Sequence, residues 1–213
     1  VGGEPFLLHL LQRLQAEGFE RFVLAGQYLP EQFRVFIQTH RSRFPHVKLL
    51  VEPKPLGTGG ALRHAADHAA SSSFLALNGD SWVDQLMAPV LEDHGLFSRD
   101  FTVVAVEADR VEGTALRKGV WQLGPEREAA GFSTQEHVVK GWVNAGCYVI
   151  NREMVSMWPK GIYGLEANLP TLLRGHKTGV YCSQGHLLDI GTHENYGRAE
   201  SILAGFATQG SLS

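Results

Sequence analysis

Leu75-Ala76-Leu77-Asn78-Gly79-Asp80-Ser81 is the stretch on which the reading of this chain turns. Ser73 and Phe74 lead into an apolar run with no polar break, the pattern of a strand buried on both faces. The run stops abruptly at Asn78-Gly79-Asp80. Gly79 lets the backbone turn or a ligand approach closely. Asp80 falls just beyond the carboxyl end of the strand, where open α/β sheets bind ligands. Its hard carboxylate oxygens suit a divalent cation. Asn, Gly and Asp are also ordinary turn residues, so the motif takes its meaning from the rest of the chain.

Working outward, short strands alternate with helical patterns. Phe6, Leu7, Leu10, Leu11 and Leu14 recur at helical spacing between Pro5, suited to a first helical position, and Gly18, a stop signal. Arg21–Ala25 reads as a strand and Pro30–Arg41 as a helix with Phe33, Phe36 and Ile37 on one face. Val47–Val51 is the next strand, followed by an Ala-rich helix to about Ala70. After the central strand come a helix over Asp84–His94 and a buried strand over Phe101–Glu107. This alternation predicts a parallel sheet with helices on both faces and right-handed crossovers. The second half is more antiparallel. Gly119–Leu123 and Ala129–Gln135 form a hairpin, and Trp142–Ile150 is a strand. Helices are expected over Arg152–Trp158, Leu165–Arg174 and Glu194–Phe206, with strands over Gly179–Ser183 and His186–Ile190. Gly210–Ser213 is expected to fray. With no linker, repeat or low-complexity tract, residues 1–213 read as one domain.

Composition narrows the function classes. Among 213 residues, 44% are apolar and 19% charged, the net charge is −3, and ten histidines are scattered along the chain. No basic block or basic helix face is present to grip nucleic acid. No apolar run is long enough for a membrane span and no signal peptide opens the sequence, so the expected compartment is the cytoplasm. Cys147 and Cys182 lie in strand-like runs and are expected as free buried thiols. A homo-oligomer is left open.

Four further segments carry candidate chemistry. In Glu52-Pro53-Lys54-Pro55-Leu56-Gly57-Thr58-Gly59-Gly60 a strand ends in Glu, and a Gly-Thr-Gly-Gly turn then opens a helix. The glycines let backbone N–H groups approach a flat or anionic ligand, and the helix start adds a favourable dipole. No Gly-Lys-Ser/Thr follows, which excludes a P-loop. Glu52 can accept from two adjacent donors, the pair that guanine presents at N1–H and N2–H₂; the alternative is a solvated Glu before a turn. In His186-Leu187-Leu188-Asp189-Ile190-Gly191-Thr192 the strand–Asp–turn–helix order recurs. Asp80 and Asp189 converging on one crevice would hold Mg²⁺ with room for phosphates. Asp189 could instead serve the helix start, a role for which Thr192 competes as N-cap with Asn195 three residues on. The strand break at Asn144-Ala145-Gly146 suggests a bulge near a ligand, with the Asn144 amide facing sugar hydroxyls, or a Gly needed for packing. Glu166 can take two vicinal hydroxyls or favour its helix N-terminus.

Together these segments resemble the sugar-1-phosphate nucleotidyltransferases over nearly the whole chain, most of all the guanylyltransferases acting on D-glycero-α-D-manno-heptose 1-phosphate, with mannose-1-phosphate enzymes as near relatives. The matching pieces are Glu52 to Leu62, Asn78-Gly79-Asp80-Ser81, Gly141-Trp142-Val143-Asn144-Ala145-Gly146, Leu165-Glu166, and Asp189-Ile190-Gly191-Thr192 with Asn195-Tyr196-Gly197-Arg198-Ala199. The resemblance implies a Rossmann-like, mixed and mostly parallel sheet flanked by helices, with the sugar handled by the more antiparallel half. It implies Mg²⁺-dependent attack of a sugar-phosphate oxygen on the α-phosphorus of an NTP, GTP being favoured, with loss of pyrophosphate. Asp80 and Asp189 would hold the metal. Glu52, Pro53, Gly57, Thr58, Gly59, Gly60, Asn78 and Gly79 would receive the nucleotide, and Asn144, Ala145, Gly146 and Glu166 the sugar. The family's Gly-x-Gly-Thr-Arg loop and following Pro-Lys are expected ahead of Val1, whose Val-Gly-Gly-Glu-Pro-Phe matches the exit of that loop. Where the family carries Phe-x-Glu-Lys, this chain has Phe132-Ser133-Thr134-Gln135-Glu136-His137, and Lys140 is the nearest substitute for the Lys that meets the sugar phosphate. A non-catalytic, nucleotide-sugar-sensing homologue is the competing expectation.

Overall fold

The computed structural model describes residues 1–112, 117–136 and 140–209; the expectations for His137 and for 210–213 fall outside them. The helices are α1 (Phe6–Ala16), α2 (Pro30–Thr39), α3 (Gly57–Ala66), α4 (Met87–Leu96), α5 (Arg152–Ser156), α6 (Leu165–Leu172) and α7 (His193–Gln209). The strands are β1 (Phe22–Gly26), β2 (Val47–Val51), β3 (Ser73–Leu77), β4 (Ser81–Val83), β5 (Phe101–Glu107), β6 (Val111–Glu112), β7 (Arg117–Leu123), β8 (Ala129–Glu136), β9 (Trp142–Asn151), β10 (Thr178–Ser183) and β11 (Leu187–Asp189). The chain divides into two compact units: 1–17, 75–149 and 176–213 in the first, 18–74 and 150–175 in the second, the divisions falling next to α1, inside β3 and β9, and beyond α6.

In the first unit β5 is buried on both faces from Phe101 to Val106 and pairs in parallel with β10, Phe101 opposite Thr178. The expected hairpin forms as β7 and β8, antiparallel with a register shift at Gln122/Leu123, and β7 also pairs antiparallel with β9. Phe101 and Tyr148 pack at 5.3 Å between ring centroids. α1 buries Phe6, Leu8, Leu10, Leu11 and Leu14, the spacing that the sequence shows. Pro5 stands one position before the helix, and Gly18 follows the last turn at φ +93°, a left-handed conformation that suits glycine. α4 begins at Met87, three residues later than expected. Asp84 N–H is held by the His186 carbonyl, and Met87 N–H by the Glu17 carboxylate, which caps the helix from the end of α1.

The second unit carries the parallel pair β1–β2, Phe22 opposite Val47. Phe22 and Phe44 meet edge to face, and Leu50, Ala66, Ile150, Met154, Val155, Trp158, Leu165 and Leu169 are buried with them. α2 places Phe33, Phe36 and Ile37 half-buried on one side, as its spacing predicts.

β3 differs from expectation. All five of its residues are half-buried rather than enclosed. Among the described strands it pairs with β9 alone, so one edge lacks the cover that a central parallel strand has. The expected mixed α/β architecture is otherwise present, parallel in β1–β2 and β5–β10 and antiparallel in β7–β8–β9.

Candidate active site

In the first unit the two strand-end carboxylates come together. β11 runs antiparallel to β4, with Asp189 opposite Ser81, and Ile190 N–H donates to the Asp80 carbonyl at 2.8 Å. This pairing draws the end of β3 and the end of β11 to one place. A Cβ at Gly191 would stand 3.0 Å from Asp189 Oδ1 and 3.3 Å from Asp80 Oδ2, so both carboxylates border the same small space. Asp80 is exposed and Asp189 half-exposed. Ser81 Oγ donates to Asp80 Oδ1, and Gly191 N–H to Asp189 Oδ1. Thr192 takes the N-cap role, its Oγ1 accepting from Asn195 N–H at 3.2 Å, while the Asn195 amide holds the Asp189 carbonyl. Asp189 is thereby oriented by the start of α7 without capping it. No group of three or more His, Cys, Asp or Glu placed to hold a metal occurs among the described residues. Two hard carboxylates with accessible oxygens fit a Mg²⁺ that keeps waters and substrate phosphates as its other ligands.

The Asn78 end of β3 meets β9 at Gly146, inside a strand that runs continuously from Trp142 to Asn151. Asn78 N–H donates to the Gly146 carbonyl at 2.8 Å, and Gly146, at φ +67°, leaves room for the Asn78 side chain, which a Cβ there would approach to 2.5 Å. Gly146 thus serves close packing of Asn78. Asn144 is 7% exposed. Its Nδ2 donates to Tyr148 Oη at 2.7 Å and its Oδ1 accepts from Gly146 N–H at 3.3 Å, so in this structure the amide is engaged by its own strand. Ala145 is buried beside it. Gly79 is exposed, and a Cβ there would meet nothing within 4 Å. Lys140 is exposed at the lead-in to β9.

In the second unit Glu52 is no solvated turn residue. It is 7% exposed, and its Oε2 accepts from Leu56 N–H at 2.8 Å, which closes the Pro53–Pro55 turn. Gly57 to Gly60 form the first turn of α3 itself, where the sequence suggests a turn ahead of it. Their lack of side chains answers to the segment 161–164. A Cβ on Gly57 would lie 2.6 Å from the Tyr163 carbonyl, one on Gly59 2.3 Å from the Tyr163 ring, and one on Gly60 2.2 Å from the Gly161 carbonyl. The Tyr163 carbonyl accepts from Gly59 and Gly60 N–H, and Tyr163 N–H donates to the Leu56 carbonyl at 2.9 Å. The expectation that these amides wait for a ligand is corrected for Gly59 and Gly60, whose N–H groups are already bonded. Pro53, Gly57 and Thr58 remain exposed. Thr58 Oγ1 accepts from Leu165 N–H at 2.7 Å and donates to Glu166 Oε2 at 3.3 Å. Burial raises the pKa of the Tyr163 hydroxyl above that of a free phenol, with Arg63 partly opposing the shift. Tyr163 is the participant that sequence reasoning missed. Its only signal is the company of Gly161 and Gly164, and nothing local says which glycines it will meet.

The Nucleotidyl transferase family profile matches residues 1–204. This chain belongs to the nucleotidyl transferase family. Mannose-1-phosphate guanylyltransferase of Mycobacterium tuberculosis is 28% identical over 207 residues, covering 95% of this chain and 57% of that protein. D-glycero-alpha-D-manno-heptose 1-phosphate guanylyltransferase of Aneurinibacillus thermoaerophilus is 23% identical over 208 residues, covering 95% and 86%. The crystal structure of HddC from Yersinia pseudotuberculosis complexed with GMP-PN superposes with a TM-score of 0.82 at 23% identity, covering 94% of this chain and 86% of that one, a likeness of fold. The chain spans little more than half the length of the mannose-1-phosphate enzymes that it matches. Among the described residues of this nucleotidyl transferase chain no helix is long and apolar enough to cross a membrane.

Proposed function

We propose that this nucleotidyl transferase moves GMP from GTP to a sugar 1-phosphate, D-glycero-D-manno-heptose 1-phosphate being favoured, and releases pyrophosphate. The observation that carries the reading is the meeting of Asp80 and Asp189 around the Gly191 position. In the reaction a phosphate oxygen of the sugar 1-phosphate bonds to the α-phosphorus, the bond from that phosphorus to the β-phosphate bridging oxygen breaks, and pyrophosphate carries the electron pair away. Such transfers depend on positioning and charge neutralisation more than on covalent chemistry. Mg²⁺, held by Asp80 and Asp189, would supply the positive charge that screens the phosphates. Pro53 and Gly57 are exposed in the second unit and Gly79 in the first, and each is assigned to the nucleotide. Glu52, which holds Leu56 N–H through Oε2, is assigned to the guanine donor edge. Uracil and thymine would set carbonyl acceptors beside the same anion. A buried polar edge left unpaired costs roughly 1–3 kcal/mol, enough for tenfold to hundredfold preference. Glu166 is assigned to the vicinal hydroxyls of the sugar.

The guanylyltransferases among the relatives support the base, and the heptose enzyme, which the chain covers for 86% of its length, supports the sugar. The test is a panel of GTP, ATP, CTP and UTP against heptose, mannose and glucose 1-phosphates with the full-length protein, read as pyrophosphate release. GTP with heptose 1-phosphate is expected to give the highest kcat/KM. Preference for mannose 1-phosphate changes the acceptor, preference for UTP or CTP overturns the base, and no turnover with any pair refutes the enzyme reading in favour of a non-catalytic binding protein.

A further inference from the structure

α6 does not cap its own start. Gly164 stands at its N-cap with extended backbone and no side chain to offer, and the need is met from α3. Thr58, the second residue of α3, accepts from Leu165 N–H at 2.7 Å and donates to Glu166 Oε2 at 3.3 Å. A threonine hydroxyl has one proton and two lone pairs, so both bonds are made at once with the polarity fixed: the amide feeds the oxygen, and the hydroxyl proton goes to the carboxylate. Tyr163 locks the register of this contact. Its N–H is held by the Leu56 carbonyl and its carbonyl by Gly59 and Gly60 N–H, so 163–166 cannot slide along the first turn of α3. One carboxylate oxygen of Glu166 is thereby held, on a side chain that is half-exposed. A glutamate side chain has three rotatable bonds, and a grip on two hydroxyls demands that they be fixed before the ligand arrives.

We propose that Thr58 is a positioning residue for the acceptor, setting the rotamer in which Glu166 meets a vicinal diol, and that its side chain is not a nucleotide ligand. This rests on the functional reading above. It replaces the expectation that Thr58 belongs to the nucleotide set by its side chain, and it makes the start of α3 part of acceptor selection.

The test compares Thr58→Val, Thr58→Ser and Glu166→Ala in the full-length protein. Thr58→Val is expected to raise KM for the sugar 1-phosphate about tenfold, the size of one charge-assisted hydrogen bond, with KM for GTP within about twofold of wild type. Thr58→Ser keeps the hydroxyl and restores the wild-type value. In a Glu166→Ala background Thr58→Val adds less than twofold, because the group that it orients is gone. An equal rise in KM for GTP, failure of Thr58→Ser to restore, or the same tenfold effect without Glu166 each overturns the proposal. A wild-type protein without turnover refutes the functional reading by itself, and the ¹³C shift of the Glu166 carboxyl then decides on Thr58. It moves in Thr58→Val and not in Thr58→Ser if Thr58 orients it, and an unmoved shift in both variants overturns the proposal.

Discussion

Gly191→Ala places one methyl in the space that the two carboxylates share. The new carbon would lie 3.0 Å from Asp189 Oδ1 and 3.3 Å from Asp80 Oδ2, and beyond its chain neighbours it meets no other atom of the described residues within 4 Å. The φ of Gly191 is not left-handed, so the change brings no backbone strain and acts through those two oxygens. Ordinary contact begins near 3.4 Å, so each oxygen must recede by a few tenths of an ångström. Both side chains reach solvent and can turn aside, so the fold should lose less than about 1 kcal/mol. A magnesium ion is less forgiving: its ligands sit at about 2.0–2.1 Å in near-ideal octahedral order. A displacement of that size should cost about 1–2 kcal/mol of metal binding, roughly 5- to 30-fold in the half-saturating Mg²⁺ concentration. Pyrophosphate release measured against Mg²⁺ at saturating GTP and sugar 1-phosphate reads that midpoint, and a thermal melt of the same samples checks the fold. If the melt and the Mg²⁺ midpoint both match wild type, Asp80 and Asp189 do not share a metal.

Asp93 accepts from both Arg99 and Arg127, and Arg99 is itself buried; Asp93→Ala removes the carboxylate that neutralises that guanidinium, leaves it the Glu126 carbonyl, and should lower stability by about 3–5 kcal/mol in urea titrations, a loss below 1 kcal/mol being contrary to the reasoning. Gly59→Ala drives a methyl into the Tyr163 ring and should cost about 1–3 kcal/mol, whereas Gly79→Ala meets nothing within 4 Å and should leave the melt unchanged while raising KM for GTP; an unaltered KM would remove Gly79 from the nucleotide site. Burial pushes the Cys147 thiol up to about 12 and also raises that of Cys182. At pH 8 both should react slowly with a disulfide reagent in the native protein and fast in urea. Because the folded value of Cys147 lies above that of a free thiol, its contribution to stability is full below about pH 8.5 and drains as pH climbs towards 12. Rapid native labelling of Cys147 would contradict its burial.

Local pattern made much of this legible. Phe101–Glu107 carries no charge until its last residue and only Thr102 breaks its apolar run, and β5 occupies those bounds. The recurrence of an apolar run ending in Asp marked Asp80 and Asp189 before any geometry was known. What joins them was not visible: β4 is three residues long, too short for a period to show, and its pairing with β11 is a long-range event. The same holds for Gly57, Gly59 and Gly60. Sequence shows that these positions need no side chain, while the reason lies about a hundred residues away in Gly161 and Tyr163. Asn144 teaches a related lesson: an amide suited to hydroxyls is equally suited to a neighbouring tyrosine, and Tyr148 is the partner that the strand supplies.

A helix usually advertises itself to anions through its first free amides. α3 has been muted in that respect: Leu56 N–H is answered by Glu52, those of Gly59 and Gly60 by Tyr163, and the Glu52 carboxylate sets a negative charge against the positive end of the helix dipole. A molecule resting on Gly57 and Thr58 therefore meets a surface with outline but little field. Such a platform sorts its guests by the shape and edge of a ring, and ionic strength should hardly alter its choice.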